Sequence, residues 1–293
     1  MNRSNRTLPT LLLAALLAAV VPLAGCGGGV KEDPILRLSA AEALTQGKEL
    51  LAREKYRAAR PYLSHAFEVE PNSVAGREGL LLLADSFYLD GGVTNWIQAE
   101  AKYRDFLNRF PTSDQAAYAQ YQIANSLSKR VEKPNRDQTA TRKALAAFDE
   151  LLRLYPTSEY TAEAQAQIDA LRERLAASEF VVGDFYLRYR QPAGAILRFE
   201  NLLEEFPEYE RDKVLYHLGL AYARSPVPAD QAKASEVFER LRSEHPESRW
   251  VAEIPGDLPR PADGAEEAAP RDEPPPEVLA GEPSRSGGGV SQR

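Results

Sequence analysis

The sequence predicts an all-α protein, a superhelical array of about five helix pairs followed by a disordered C-terminal tail. Three observations predict this fold class. A pattern of small and bulky residues recurs at helical spacing, a proline closes each copy, and the composition changes after Trp250. The predicted organisation is a signal peptide over residues 1–25, a tether over 26–34, a repeat domain over 35–250 and a tail over 251–293.

The N-terminal segment has the features of a bacterial export signal. Arg3 and Arg6 supply positive charge without any acid nearby, and an apolar run follows them. That run, from Leu8 to Leu23, is shorter than the roughly 20 residues that a membrane-spanning helix needs. A cleaved signal peptide is therefore the better interpretation than a permanent transmembrane helix.

The signal ends in Leu-Ala-Gly-Cys, and Cys26 is the only cysteine in the chain. This ending resembles the lipobox of bacterial lipoproteins, in which the cysteine is acylated and the peptide is cut before it. A simple secretory peptide with an incidental cysteine is the alternative. Several acyl chains on Cys26 would anchor the protein stably in the lipid bilayer. Gly27, where retained inner-membrane lipoproteins usually have aspartate, favours the outer membrane, with the protein facing the periplasm.

One pattern recurs five times along the predicted repeat domain. Each copy has an alanine, a bulky residue four positions later and a proline eight positions after that. The copies are Ala59/Leu63/Pro71, Ala99/Tyr103/Pro111, Ala144/Phe148/Pro156, Ala195/Phe199/Pro207 and Ala234/Phe238/Pro246. A further apolar residue follows each bulky one by three positions, so the pattern forms one stripe along a helix. We expect this stripe to be core rather than a binding surface.

Each proline predicts a helix end, because proline cannot continue a helix and pushes the preceding residue towards extended geometry. Four copies have a serine two residues after the proline, which predicts an N-cap for the next helix. These serines are Ser73, Ser113, Ser158 and Ser248. The predicted repeating unit is therefore helix, turn, helix, stop.

This unit is similar to the tetratricopeptide repeat. Its second helix matches the recurring pattern, and Gly47 and Gly183, each twelve residues before its alanine, match the small residue of the first helix. Phe87, Glu132 and Tyr222 stand at that position in the other copies, so their first helices depart from the pattern or are displaced by insertions. The spacing of the prolines, wider than the ~34 residues of a regular repeat, also requires insertions.

Composition and motifs argue against several classes of function. The 36 Lys and Arg residues against 43 Asp and Glu residues give a net charge of −7, which disfavours nucleic acid as a partner. The sequence has no HExxH, GxSxG or Walker segment, and its three histidines stand far apart. We therefore expect no enzyme, no metal site and no cofactor. Stacked helix pairs instead form a groove that binds extended peptides or partner helices.

The segment 136–160 carries a more specific resemblance. It begins with Arg-Asp-Gln-Thr at the opening of a predicted second helix and ends with a Tyr-Pro-x-Ser-x-Tyr turn. With the lipobox, the five repeats and a predicted long helix from about Glu159 to Arg190, it resembles the BamD family, lipoproteins of the outer-membrane β-barrel assembly machinery. The resemblance covers roughly residues 35–250. It implies a scaffold that helps to assemble and insert β-barrel proteins.

The resemblance also implies binding residues. Residues that would contact partner subunits are Arg136, Asp137, Gln138, Thr139 and Arg198. A groove for unfolded outer-membrane protein segments would use Tyr88, Tyr118, Tyr121, Gln122 and Asn125. Arg198 would meet the periplasmic docking domains of the β-barrel subunit, and mere solvation of this arginine is the alternative. Asp137 or Thr139 also suits a plain helix N-cap.

Two other functions stay open at this point. Another envelope repeat scaffold, such as a Tol-Pal partner or a protein of peptidoglycan or secretin assembly, shares the repeats but usually lacks the Arg-Asp-Gln-Thr segment. An enzyme with an unrecognised site on its helices is the third candidate. The segment from Pro255 to Arg293 is rich in proline, glycine and acids, so a solvated tail is favoured over a specific binding motif.

Overall fold

A computed structural model of the protein describes residues 33–256, and all regular secondary structure in that range is helical. A short 3-10 helix, Pro34–Arg37, precedes eleven α-helices. These are α1 (Ala40–Ala52), α2 (Tyr56–Val69), α3 (Val74–Asp90), α4 (Val93–Arg109), α5 (Ala116–Ser128), α6 (Thr139–Leu154), α7 (Thr161–Arg188), α8 (Pro192–Glu205), α9 (Arg211–Ala223), α10 (Pro228–Glu244) and α11 (Arg249–Ala252). The prediction of an all-α protein made of helix pairs is confirmed. The predicted signal peptide, Cys26, most of the tether and residues 257–293 lie outside the described residues.

The chain divides after Pro111 into two compact units. In the first unit, α1 packs on α2 and α3, and α4 packs on α3. In the second unit, each helix from α5 to α9 packs on the next one, and α9 also contacts α7 and α11. None of the helices within residues 33–256 is both long and apolar enough to cross a membrane.

The recurring pattern forms the core of both units. The alanine and the bulky residue of every copy are 0% exposed, and the next apolar residue of the stripe is at most 2% exposed. These positions lie on α2, α4, α6, α8 and α10, the second helices of the five predicted pairs. Tyr103 is the one bulky residue with a polar group, and its hydroxyl donates to Asp85 at 2.5 Å. The predicted core stripe is therefore confirmed.

The five second helices end in the same way. The residue before each proline is the C-cap, with φ between −138° and −130° and ψ between 57° and 71°. Such extended geometry is what a following proline requires. In four of the five ends, the N–H of this residue still donates to the carbonyl four residues earlier, at 2.8–3.0 Å. The prolines therefore fix where each pair stops.

Two of the four predicted serine caps are wrong. Ser73 and Ser248 are N-caps whose hydroxyls accept helix N–H groups at 2.9 and 3.2 Å. Ser113 and Ser158 instead accept the N–H two residues further on, at 3.2 and 3.1 Å. This local turn delays the helix by two residues, so these two serines precede the N-cap.

The small residue of the fifth repeat is displaced, as an insertion would require. Tyr222 stands twelve residues before Ala234, but Gly219 occupies the close approach. A Cβ on Gly219 would lie 2.6 Å from Cε1 of Phe238. Glu132, the third-repeat counterpart of Tyr222, lies in the loop beyond the end of α5. Longer connections before α6 and α10 explain both shifts.

The repeat domain extends beyond its predicted boundary at residue 250. Trp250, Val251 and Ile254 pack against the core of the second unit. The ring of Trp250 stacks on Tyr216 with centroids 4.8 Å apart. The segment that begins at Pro255 is rich in prolines, glycines and acids, and its proximity conceals these apolar residues in the sequence. The predicted start of the tail at residue 251 is therefore corrected.

Candidate binding face and partner contacts

A row of polar side chains runs along α5 in the third repeat. Tyr118, Gln122 and Asn125 follow one another at helical spacing and are half-buried. Gln122 Nε2 donates to the Tyr118 hydroxyl at 3.0 Å, and Asn125 Nδ2 donates to Gln122 Oε1 at 3.2 Å. Phenol and amide groups carry both donors and acceptors. This row can therefore hydrogen-bond the backbone of an extended peptide.

Tyr121, also predicted to line the groove, is a packing residue. Its side chain is buried, and its ring stacks on Tyr160 with centroids 4.7 Å apart and an angle of 15°. The ring of Phe148 lies 6.2 Å away on its other neighbouring helix, α6. Since α5 turns this side chain into the helix interface, the prediction of a groove role for Tyr121 is corrected.

Tyr160 is a residue of this face that the sequence argument missed. It lies at the start of α7, and its ring is 6.0 Å from that of Tyr118 as well as stacked on Tyr121. Burial, together with the charge of Glu159, raises the pKa of Tyr160, so its hydroxyl stays protonated. The Tyr-Pro-x-Ser-x-Tyr motif could have pointed to Tyr160, because this tyrosine is its last residue. The serine of the motif fixes the turn, since Ser158 accepts the Tyr160 N–H at 3.1 Å.

Tyr88, the remaining predicted groove residue, lies on α3 in the first unit and is half-buried. Two residues further on, Asp90 accepts hydrogen bonds from Arg57 Nε at 3.0 Å, Arg60 Nη2 at 2.7 Å and Asn95 Nδ2 at 3.0 Å. The Arg57 hydrogen bond lowers the pKa of Asp90, and Arg60 adds to it. In this cluster one carboxylate bridges two guanidinium groups and joins α2 to the end of α3, so its role is structural.

Gln138, within the predicted Arg-Asp-Gln-Thr contact segment, holds the loop before α6. Its side chain is buried, and its Nε2 donates to the carbonyls of Lys133 and Arg136 at 2.9 and 3.0 Å. Its Oε1 accepts from the buried hydroxyl of Thr141 at 2.7 Å. Gln138 satisfies groups that would otherwise be buried without partners. A direct contact between Gln138 and a partner does not fit this burial, so that prediction is corrected.

The other three residues of the segment are exposed. Asp137 Oδ1 accepts the Thr139 N–H at 3.1 Å and the Thr139 hydroxyl at 2.8 Å. These bonds lower the pKa of Asp137. The predicted capping role therefore falls to Asp137, although Gln138 is the formal N-cap of α6. Arg136 forms no ion pair with any residue of the described range, so its charge faces solvent.

Arg198, the predicted docking arginine, lies on α8 and already has a partner within the chain. Its Nη1 donates to Glu179 Oε2 of α7 at 2.9 Å. The arginine side chain is 40% exposed and the glutamate 25%, so the pair lies at the surface of the second unit. An acidic group on another protein would compete with Glu179 for this guanidinium.

Two of the three histidines, His65 and His217, have structural surroundings. His65 Nε2 lies 3.0 Å from the carbonyl of Leu38, and His217 Nδ1 lies 2.8 Å from the carbonyl of Lys213. Phe180 and Trp250 meet the His217 ring edge-on at 4.9 and 5.2 Å. No group of three or more potential metal ligands occurs within residues 33–256.

Paired helices with the same core stripe repeated in all five copies, a polar face on α5 and exposed charges on the second unit define a helical-repeat binding scaffold. Residues 37–237 match the YfiO family, described as outer membrane lipoprotein. This match extends over most of the repeats. The chain belongs to that family.

Curated relatives carry a consistent name. Proteins called outer membrane protein assembly factor BamD are 27% identical in Rickettsia prowazekii, over 83% of this chain and 94% of the relative, and 27% identical in Caulobacter vibrioides, over 84% and 79%. The Haemophilus influenzae protein of the same name is 26% identical, over 66% of this chain and 76% of the length of that protein. The resemblance noted in the sequence is confirmed. These names do not support the alternative of a Tol-Pal, peptidoglycan or secretin scaffold.

Proposed function

We propose that this chain is an outer-membrane-anchored periplasmic scaffold that helps to assemble and insert β-barrel outer-membrane proteins. It acts by binding partner subunits and unfolded substrate segments, without catalysis. The observation that carries this function is the family match over residues 37–237, to which relatives named for outer membrane protein assembly add support. The non-catalytic role rests on the helical-repeat architecture, in which ion pairs with Arg57 and Arg60 occupy the carboxylate of Asp90.

The row on α5 is the proposed site for unfolded substrate. An extended chain exposes unpaired backbone donors and acceptors, and Tyr118, Gln122 and Asn125 offer both kinds of group in a line. Tyr160 adds an aromatic surface beside Tyr118. Such a site recognises backbone and aromatic side chains without demanding one sequence, as an assembly factor with many substrates requires. Tyr88 is proposed as a second substrate contact, on the first unit.

Two charged positions are proposed to contact partner subunits. Arg198 would exchange its bond to Glu179 for an acidic group on the β-barrel subunit, a change that costs little because the pair is partly exposed. Arg136, with Asp137 and Thr139 beside it, offers a second exposed charge at a loop that Gln138 makes rigid. A rigid loop loses little entropy when a partner binds it.

Cys26 is proposed as the lipid anchor. The sequence Leu-Ala-Gly-Cys and the absence of any other cysteine in the chain support this assignment. Intact mass spectrometry of protein extracted from membranes should show a chain that begins at Cys26 and carries acyl groups. An unacylated chain that begins elsewhere would contradict the anchor and leave the scaffold proposal untouched.

Affinity purification from detergent-solubilised envelopes tests the proposed function. A tagged chain should retain a β-barrel subunit with periplasmic docking domains. A chain with Tyr118→Ala and Asn125→Ala should retain this subunit but cross-link less to unfolded outer-membrane proteins. Retention of Tol-Pal or secretin components in place of the β-barrel subunit would contradict the proposal.

A further inference from the structure

A basic cleft lies at the corner between α7 and α8 in the second unit. Its volume is about 470 Å³. Five residues line it, three of them arginines: Leu187, Arg188, Arg190, Pro192 and Arg224. All three arginines are exposed. Three positive charges therefore lie close together, and none of these arginines belongs to the binding face on α5 or to the Arg198–Glu179 pair.

Two of these arginines have no acidic partner in the part of the chain that the structure describes. Arg188 pairs with Asp184, one turn earlier on α7. Arg190 and Arg224 form no ion pair with any acid of residues 33–256. Two uncompensated guanidinium groups at one cleft attract an anionic ligand, and guanidinium suits carboxylates that bind with two hydrogen bonds.

The backbone at Arg190 adds a second observation. Arg190 has φ of +56°, in the left-handed region that favours glycine and follows many helix ends. The N–H of Gln191 donates to the Tyr186 carbonyl at 2.9 Å, which closes the helix end around this residue. This backbone conformation is less favourable for arginine than for glycine. Glu54 has the same conformation, φ +57°, after α1 in the first unit, and it provides a matched control.

Exposed aromatic residues lie directly before the cleft on α7. Phe185 is 52% exposed and Tyr189 is 67% exposed, and their rings lie 4.4 Å apart. Val181, 38% exposed, continues the stripe one turn earlier. The cleft and this stripe together form a surface that is cationic on one side and aromatic on the other, called the α7 corner below.

The sequence beyond the described residues contains a segment that complements the α7 corner. Residues 263–277 contain six acids, four prolines and a single arginine. Carboxylates pair with arginine, and proline-rich segments pack on exposed aromatic rings. Six residues separate Gly256 from the start of this segment and twenty separate Gly256 from its last residue, Glu277, which corresponds to ~20–65 Å of extended chain.

We propose that residues 263–277 dock on the α7 corner of the same chain. The acids bind Arg190 and Arg224, and the prolines cover Phe185 and Tyr189. Covalent attachment favours this occupant over a separate acidic peptide, because a tethered segment is present at an effective concentration in the ~mM range. Docking in this way covers an aromatic surface that would otherwise face the periplasm.

Paramagnetic relaxation in an unacylated chain that spans residues 26–293 tests this proposal. A spin label on Ala268→Cys, in a Cys26→Ser background, should attenuate the amide signals of residues 185–191 at low salt. The attenuation should disappear in Arg190→Gly/Arg224→Ser. It should also disappear when Glu266, Glu267, Asp272 and Glu273 are changed to their amides. Glu54→Gly, which relieves the same backbone strain in the first unit, should leave it unchanged.

Several results would overturn the proposal. Absence of attenuation in the parent chain would exclude docking, and attenuation that survives Arg190→Gly/Arg224→Ser would exclude the arginine cleft. Attenuation in a mixture of spin-labelled and isotope-labelled chains would assign the contact to a second copy. Arg190-dependent sedimentation with phosphatidylglycerol vesicles, without attenuation by the tail label, would assign the corner to lipid. Glycine is favoured at residue 190 and Arg224 is exposed, so the variant should fold as the parent does, and amide signals unchanged outside the α7 corner would show this.

Discussion

Gly183 of α7 lies directly against the ring of Phe199 on α8. A Cβ on Gly183 would lie 2.6 Å from Cε1 of that ring. A Cβ on Gly219 would lie at the same distance from Cε1 of Phe238 in the next repeat. Phe199 and Phe238 are both 0% exposed. The small residue of the first helix thus makes room for the large residue of the second, and this contact closes each of these two helix pairs.

Gly183→Ala should destabilise the protein. Alanine is favoured over glycine inside a helix by about 1 kcal/mol. Here the added methyl group overlaps an aromatic ring in a closed core, which costs about 1–3 kcal/mol. We expect a lower midpoint in urea unfolding monitored by circular dichroism. Gly256→Ala is the control, because a Cβ there meets no atom within 4 Å. A variant that is as stable as the parent would show that this contact is not tight.

The repeated core could be predicted from the sequence because it depends on local spacing. Alanine and phenylalanine positions four residues apart define one helix face, and a following proline defines its end. The long helix from Thr161 to Arg188 was predicted from about Glu159 to Arg190, within two residues at each end. Five copies with the same spacing are stronger evidence for paired helices than a single amphipathic segment would be.

The binding residues were harder to predict, because a side chain's partner often comes from a distant part of the sequence. Gln138 and Tyr121 are polar or aromatic residues in a plausible place, yet both are buried. Arg198 has its partner nineteen residues earlier on another helix. Hydrophobic periodicity contains no information about such pairs, so exposure and pairing required the three-dimensional structure.

Gln138 and Arg136 should respond differently to substitution. Gln138→Ala removes hydrogen bonds to two carbonyls and to Thr141, so we expect a loss of about 1–3 kcal/mol in unfolding free energy. Arg136→Ala should change stability by less than about 0.5 kcal/mol, as for most exposed positions. Its effect should instead appear as weaker co-purification of partner subunits. Equal stability losses in both variants would contradict this division between loop support and partner contact.

The second unit should lose stability in mild acid because of His217. Burial of its ring lowers the pKa of His217 below the ordinary value of 6.5, against the smaller opposing influences of the hydrogen bond to the Lys213 carbonyl and of the Asp184 charge. As the pH falls through 6.5, the unfolded chain takes up a proton on this residue before the folded chain does. The free energy of unfolding therefore decreases below that pH.

Urea titrations between pH 7.5 and 5 check this pH dependence. Relative to the parent chain, His217→Phe should show a smaller decrease of unfolding free energy with falling pH, while Tyr216→Phe should retain the full decrease. The Tyr216 control keeps His217 and its contacts with Phe180 and Trp250. Identical pH profiles for the parent and His217→Phe would show that another group is responsible.

Arg198 can be tested without confusing docking with stability. Arg198→Glu places two carboxylates together at the Glu179 site, so it should lower stability by up to about 1 kcal/mol and weaken co-purification of the β-barrel subunit. The exchange variant Glu179→Arg/Arg198→Glu should restore the internal ion pair and the melting temperature, but not the partner. The Glu179→Gln variant, which keeps Arg198, should retain the β-barrel subunit. Full retention of the subunit by the exchange variant would exclude Arg198 as the docking residue.

Depletion of the protein in living cells tests its proposed role in assembly most directly. When expression is shut off, the amount of β-barrel proteins in the outer membrane, measured by quantitative mass spectrometry, should fall several-fold relative to other outer-membrane lipoproteins. Expression of the parent chain should restore these proteins, and a chain with Cys26→Ser should restore them poorly. Undiminished levels of β-barrel proteins after depletion, with a defect confined to cell constriction, peptidoglycan or secretin assembly, would contradict the account.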